Sequence, residues 1–169
     1  MRTRLFIVAM CLSAIGTFAQ ATNYKVYAAF IFSIAKYSQW PPTDGEVFNI
    51  VVVGKSKLYD ELLANSARHA VAGRKIQVVQ IENALEVTQA QLIVVADTKS
   101  NQLDELAKAT NAKPIMIITE REGLHKKGAA ISFFIAEDGK LKFDLNMTEL
   151  NKRSVDVSKS IRELAATVL

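Results

Sequence analysis

Short apolar blocks, each bounded by glycine, proline or polar residues, recur along the chain after residue 24. Four of these blocks are rich in Val and Ile and predict strands, and the first of them is expected to be buried on both faces of a sheet. They span residues 48–53, 76–81, 92–96 and 115–119. Helical spacing is seen between them, over residues 58–67 and 103–110. This alternation predicts an α/β fold with an open, largely parallel sheet and helices on both faces.

The C-terminal third predicts a β-hairpin followed by helices. Residues 129–135 and 141–145 flank the turn Glu137–Lys140, whose Asp-Gly pair is a strong hairpin signal. Strict alternation in 141–145 predicts a strand with one solvated face, at an edge of the sheet. The link 120–128 is short for a helical crossover, so the pattern does not fix the direction of the fifth strand. Asn146 is a capping residue for one helix, and Ser160, Ser158 or Asp156 can cap the last.

Residues 24–42 predict a first helix against which the rest of the chain packs. One broad apolar face is predicted to point into the core; it comprises Val26, Tyr27, Phe30, Ile31, Ile34 and Tyr37. Lys25 and Lys36 point the other way, and Phe32 falls on their side. The helix is predicted to end near Gln39–Trp40, because Pro41–Pro42 disfavour the α conformation before them and offer no amide donors.

Residues 1–21 are typical of a secretory signal peptide that is removed, which leaves 22–169 as a single α/β domain. Arg2 and Arg4 precede an apolar run at 5–14, and Ala19-Gln20-Ala21 is an A-x-A cleavage site. Cleavage after Ala19 is an alternative, so the expected mature N-terminus is Gln20 or Thr22. The apolar run is shorter than the ~20 residues that span a bilayer, and no membrane insertion is expected.

Charge and cysteine content argue against a nucleic-acid-binding protein and against disulfide or thiol chemistry. The leader holds two of the 21 basic residues and none of the 17 acidic ones, so its removal lowers the net charge from +4 to +2. No basic block or aromatic–basic pattern indicates a nucleic-acid surface. The single cysteine is Cys11, inside the leader, so neither a disulfide nor thiol chemistry is expected in the mature chain.

Candidate ligand-binding residues lie at two strand ends. Asp97 follows the third predicted strand and Glu120 follows the fourth, and ligands of open α/β sheets favour this edge. Acidic residues at strand ends are also ordinary solvated caps, so both interpretations stand. Gly54-Lys55-Ser56 does not form a phosphate-binding loop, because the required first glycine is replaced by Asn49 within the strand.

No catalytic, metal or cofactor site is predicted. The two histidines, His69 and His125, are expected to be solvated loop residues without carboxylate or histidine partners at metal-ligand spacing. The sequence has no G-x-S-x-G elbow and no cysteine outside the leader, so nucleophilic catalysis lacks its usual groups. A hydrolase or transferase is therefore disfavoured.

Four residues of the first helix and its exit are candidates for partner binding. Phe32, flanked by Lys25 and Lys36, is either covered by another part of the chain or available to a partner, since interfaces favour aromatic anchors with charged rims. Trp40 is expected to be a largely buried plug at the helix end, with partner contact as the alternative.

Three segments together resemble the YfiR family of small secreted bacterial proteins. Ala28–Pro41 (AAFIFSIAKYSQWP) resembles its opening signature, Phe143–Asn146 a conserved strand end, and Val157–Ala165, in part, its C-terminal segment. The resemblance covers essentially the whole mature chain. Without cysteines, redox sensing cannot be transferred from disulfide-bonded relatives.

The resemblance implies a periplasmic regulator without catalytic activity. It would bind the extracytoplasmic part of an inner-membrane signalling protein of the diguanylate cyclase type and restrain its output in cyclic di-GMP signalling. A homodimer is compatible with this role. A periplasmic module that binds a small ligand at the strand ends is the alternative function.

Overall fold

The computed structural model describes residues 23–169, so the predicted leader lies outside the described residues. The helices are α1 (Tyr24–Lys36), α2 (Lys57–Ser66), α3 (Leu103–Ala109), α4 (Met147–Lys152) and α5 (Lys159–Leu164). The strands are β1 (Ser38–Gln39), β2 (Val47–Val53), β3 (Ala70–Val71), β4 (Arg74–Ile81), β5 (Leu92–Val95), β6 (Met116–Thr119), β7 (Ile131–Ile135), β8 (Leu141–Leu145), β9 (Asp156–Val157) and β10 (Thr167–Val168). Short 3₁₀ segments cover Ala84–Glu86, Asp97–Gln102 and Leu124–Lys127.

The main sheet is largely parallel, as predicted. Its strand order is β10-β8-β7-β6-β5-β2-β4-β3, and β1 and β9 form a separate antiparallel ribbon. Strands β4, β2, β5, β6 and β7 are mutually parallel, so the fifth strand, whose direction the sequence left open, runs with the others. The chain reverses its direction of progress across the sheet between β2 and β5. The carboxyl ends of those two strands therefore form the topological switch point, where ligands of such folds bind.

Two apolar layers cover the two faces of the sheet, which confirms the prediction of helices on both faces. Along β2, Ile50 and Val52 join the layer beneath α1, α2 and α5, whereas Val51 and Val53 join the layer beneath α3. Because side chains alternate between faces, a strand covered on both sides is apolar throughout. This explains the unbroken Ile50–Val53 run.

Side chains cap the N-termini of three α-helices. Ser56 accepts a hydrogen bond from the N–H of Leu58 at the start of α2, and Asn146 accepts one from Glu149 at the start of α4. Ser158 caps α5, so the final helix begins earlier than a Ser160 cap would place it. Each cap satisfies an amide that the first turn leaves unpaired.

The predicted end of the first helix is wrong. α1 stops at Lys36, and the following residues form β1, which pairs with β9. The N–H of Ser158 extends this contact by donating to the carbonyl of Tyr37 at 2.9 Å. A partner strand more than 100 residues away thus ends the helix before the prolines do.

The predicted edge position of β8 is also wrong. Strand β10 pairs with it in parallel and occupies the edge itself. Lys142 is exposed, as the alternation requires, but Asp144 is only 8% exposed and lies beside His125. The two-residue β10 has no alternation long enough to be recognised from sequence.

Candidate functional site

Helix α1 combines a buried face with a solvent-exposed basic ridge. Tyr27, Ala28, Ile31, Phe32, Ile34 and Ala35 are buried. The opposite side exposes Lys25, Ala29, Ser33 and Lys36, which we call the α1 ridge. The helix contains no Asp or Glu. Within residues 23–169, neither lysine of the ridge forms an ion pair. The predicted exposure of Lys25 and Lys36 is confirmed.

Phe32 is covered by the rest of the protein, with only 4% of the residue exposed. Its ring stacks on the imidazole of His69, with centroids 4.1 Å apart and planes inclined by 11°. His69 follows α2, which packs against α1 on this side. Phe32 thus takes the first of the two alternatives that its position beside the lysines left open: another part of the chain covers it.

The buried face of α1 is rotated relative to the predicted one. Val26 and Tyr37 are exposed at 37% and 52%, and Phe30 is half-buried. The rotation follows from α2, which covers the Phe32 side and leaves the Val26 side open. Helical periodicity defines an apolar stripe, but a neighbouring helix decides how far round the helix burial extends.

A groove runs along each side of the α1 ridge. The first groove, of about 410 Å³, lies between α1 and α5 and is lined by Lys25, Val26, Ala29, Phe30, Ser33, Ile34, Phe143, Ile161 and Leu164. The second, of about 450 Å³, lies between α1 and α2 and is lined by Lys25, Ala28, Ala29, Phe32, Ser33, Glu61, Asn65 and His69. Lys25, Ala29 and Ser33 line both, so the ridge separates an apolar groove from a more polar one.

Trp40 is half-buried, so it is less buried than the largely buried plug that was predicted. Its ring meets Phe48 edge-on, with centroids 4.9 Å apart, and its indole N–H donates to the carbonyl of Gln91 at 3.0 Å. These contacts fasten the segment after β1 to the start of β2. They account for Trp40 by packing, and contact with a partner stays a prediction.

The strand-end carboxylates Asp97 and Glu120 lie together at the carboxyl edge of the sheet. Glu120 accepts hydrogen bonds from the Ser56 hydroxyl at 2.5 Å and from the Asp97 N–H at 3.3 Å. Asp97 in turn pairs with Arg121, whose Nε lies 2.6 Å from its carboxylate. Ser56 stands beside the switch point, so three separate strand ends converge on Glu120. The sequence found both acids but not Ser56 or Arg121 as their partners.

Burial changes the electrostatics of this cluster. Desolvation raises the pKa of Glu120, while hydrogen bonds from Ser56 and the Asp97 amide partly oppose it. Burial, with the nearby charge of Glu120, also raises the pKa of Tyr27. Glu120 is therefore a half-buried carboxylate, each of whose oxygens accepts one hydrogen bond from a neighbouring strand end.

The expectation of a solvated loop residue is met by His69 but is wrong for His125. His69 is exposed but stacked on Phe32, and His125 is 2% exposed. His125 Nδ1 lies 3.5 Å from the Asp144 carboxylate, and neither ring nitrogen has a hydrogen-bond partner within the described chain. Sequence spacing could not find this pair, because the second strand of the hairpin, β8, brings Asp144 back to His125.

Two general features follow from the described part of the chain. No group of three or more His, Cys, Asp or Glu side chains among residues 23–169 is placed to hold a metal ion. In the same residues, no helix has both the length and the apolar character needed to cross a membrane.

Comparison with known protein families identifies the chain. The profile described as YfiR/HmsC-like matches residues 24–166. The chain belongs to this family. No curated protein matches the sequence.

Solved structures similar to this YfiR/HmsC-like protein share its fold at low sequence identity. One is a conserved domain protein from Vibrio cholerae, with a TM-score of 0.61 and 12% identity over 88% of this chain. Another is an ABC domain from Streptococcus pneumoniae in complex with L-Trp, with a TM-score of 0.61 and 11% identity over 86% of this chain. In each case the chain spans 60% of the length of the matched protein.

Proposed function

We propose that this YfiR/HmsC-like protein is a periplasmic, non-enzymatic regulator of an inner-membrane signalling protein of the diguanylate cyclase type. It binds the extracytoplasmic part of that protein and restrains its output. The observation that carries this proposal is the α1 ridge: an acid-free helix whose two exposed lysines form no ion pair within residues 23–169, with Lys25 between two grooves. Family membership supports the assignment.

Restraint requires a difference in affinity between two conformations of the membrane partner. A regulator that binds both conformations equally does not shift the equilibrium between them. A tenfold shift of that equilibrium requires a difference in binding free energy of about 1.4 kcal/mol between the two conformations. Two exposed lysines, about 16 Å apart along α1, can supply part of that preference if the acidic groups they meet are spaced correctly in only one conformation. Lys25 and Lys36 are therefore the proposed partner contacts, whereas Phe32 is no longer among them because α2 and His69 cover it.

Charge reversal on the ridge tests the proposal. Deletion of the gene should raise cellular cyclic di-GMP, and the wild-type protein should restore the original level. The double variant Lys25→Glu/Lys36→Glu should fail to restore it and should lose cross-linking to an inner-membrane protein. The matched control Lys108→Glu/Lys113→Glu reverses two exposed lysines on the α3 side and should behave as wild type. An unchanged cyclic di-GMP level after deletion would refute the proposal. Sedimentation of the purified protein should accompany the assay, because a homodimer could hide the ridge.

A second candidate function, a small-ligand-binding module, is favoured by the Glu120 cluster at the switch point. A half-buried carboxylate with Ser56 and a backbone amide beside it suits the amino or hydroxyl group of a small polar metabolite. Melting in the presence of free amino acids tests this, with L-Trp included because the similar S. pneumoniae domain is in complex with it. A shift that Glu120→Gln abolishes would support the module. If none of the compounds shifts the melting temperature, this candidate fails.

A further inference from the structure

The groove between α1 and α5 is an apolar channel open along one side. Buried side chains form its floor, namely Ile34, Phe143 and Ile161. Its walls are Val26 and Leu164, which are 37% and 62% exposed, and the half-buried Phe30. Ala29 and Ser33 along the ridge are small, so another backbone can approach α1 closely at this point.

The groove extends for a length that suits a short helix. Its α1 residues run from Lys25 to Ile34, which is about 14 Å or two and a half turns. A partner helix that places apolar side chains at i, i+3, i+4 and i+7 presents a stripe of comparable length. Such helix-in-groove contacts are a recurring mode of recognition.

The charges around this groove identify the chemistry of the occupant. Helix α1 has no acidic residue; its Lys25 lines the groove, and Lys36 lies two residues beyond Ile34, the last α1 residue of the lining. On α5, Lys159 and Glu163 pair with each other at 3.5 Å, and Arg162 lies 3.5 Å from Asp156. On these two helices, the charged side chains without an ion pair in residues 23–169 are the two lysines of α1. A complementary partner therefore has acidic residues beside its apolar stripe.

We propose that the α1–α5 groove binds an amphipathic helix of a partner protein whose apolar stripe is flanked by Asp or Glu. Leu164 and Val26 contact the stripe, and Lys25 and Lys36 contact the acidic flanks. The identification of that helix with part of the inner-membrane protein rests on the proposed function. Binding of the helix itself does not.

Two synthetic helical peptides of about 14 residues test the proposal directly. Both carry leucines at i, i+3, i+4 and i+7, and they differ only in having Glu or Lys at the flanking positions. Fluorescence anisotropy of labelled peptide should show binding of the Glu-flanked peptide that is at least about tenfold tighter than that of the Lys-flanked one. The difference should shrink at high salt, because exposed charges are screened.

Leu164→Asp should weaken binding of the Glu-flanked peptide at least about tenfold. Leu85→Asp is the matched control, since Leu85 is 57% exposed and belongs to the segment 84–86 beneath the opposite face of the sheet. Both variants should melt near the wild-type temperature, because both side chains are largely exposed. Equal binding of the two peptides, absence of binding, or equal loss in the two variants would overturn the proposal. A concentration-dependent dimer that Leu164→Asp makes monomeric would overturn it too, since a second copy would then occupy the groove.

The cellular assay separates this proposal from the proposed function. If Leu164→Asp loses the peptide yet still restrains cyclic di-GMP, the groove is not the regulatory contact, although the regulatory function stands. If deletion of the gene has no effect while the peptide results hold, the groove binds an acidic helix of some other partner and the proposed function fails.

Discussion

Replacement of Phe32 by alanine should destabilise the protein rather than weaken binding to a partner selectively. The side chain is 4% exposed and stacks on His69 at 4.1 Å. Truncation of a buried phenylalanine to alanine costs about 3–5 kcal/mol, and a stacked pair contributes about 0.5–1.5 kcal/mol of that. In a domain of this size each kcal/mol lowers the melting temperature by roughly 2–4 °C. We therefore expect a loss of roughly 6–20 °C.

Urea denaturation and thermal melting of Phe32→Ala, His69→Ala and the double variant measure this effect. The double-mutant cycle should give a coupling energy within the range for a stacked pair, about 0.5–1.5 kcal/mol. Lys36→Glu is the matched control on the same helix, and it should melt within about 2 °C of wild type because exposed substitutions change stability by about 0.5 kcal/mol or less. If Phe32→Ala melts as Lys36→Glu does, the ring is not packed beneath His69 and the assignment of this face to the core is wrong.

Three further predictions concern other parts of the chain. Trp40→Phe should cost about 1 kcal/mol in urea denaturation, because it removes the indole hydrogen bond while the ring contact with Phe48 largely remains. Burial raises the pKa of Glu120, so the folded state binds this proton more tightly than the unfolded state does. The free energy of unfolding therefore falls as pH rises from about 4.5 through the folded pKa. The Glu120→Gln variant should show a smaller fall in the free energy of unfolding between pH 4 and pH 8. Intact-mass measurement of exported protein should show a mature N-terminus at Gln20 or Thr22, and retained residues 1–21 would contradict the predicted leader.

Several features of the fold could be predicted from local sequence because they depend on neighbouring residues alone. The apolar runs at 48–53, 76–81, 92–96 and 115–119 correspond to β2, β4, β5 and β6. In β5 and β6 every residue is buried, because a strand covered on both faces needs apolar side chains along most of its length. The Asp-Gly turn produced the β7–β8 hairpin, and Asn146 capped its helix. The lysines of α1 were correctly placed in solvent.

The candidate site was predictable only in part, because its geometry depends on which elements become neighbours. Asp97 and Glu120 were found by the rule for strand ends, but their contacts with Ser56 and Arg121 require β2, β5 and β6 to lie side by side. His125 lies 3.5 Å from the Asp144 carboxylate because β8 pairs with β7 and brings Asp144 back to it.

Helix α1 shows most clearly which features local sequence determines and which features tertiary packing decides. Its sequence determined that it is amphipathic and that two lysines face away from the core. Tertiary packing decided that Phe32 is covered, because α2 and His69 lie on that side, and that Val26 is exposed, because α5 stands off to form a groove. Periodicity fixes the direction of a side chain around its own helix axis, whereas burial depends on the distance to neighbouring elements, which local sequence does not encode.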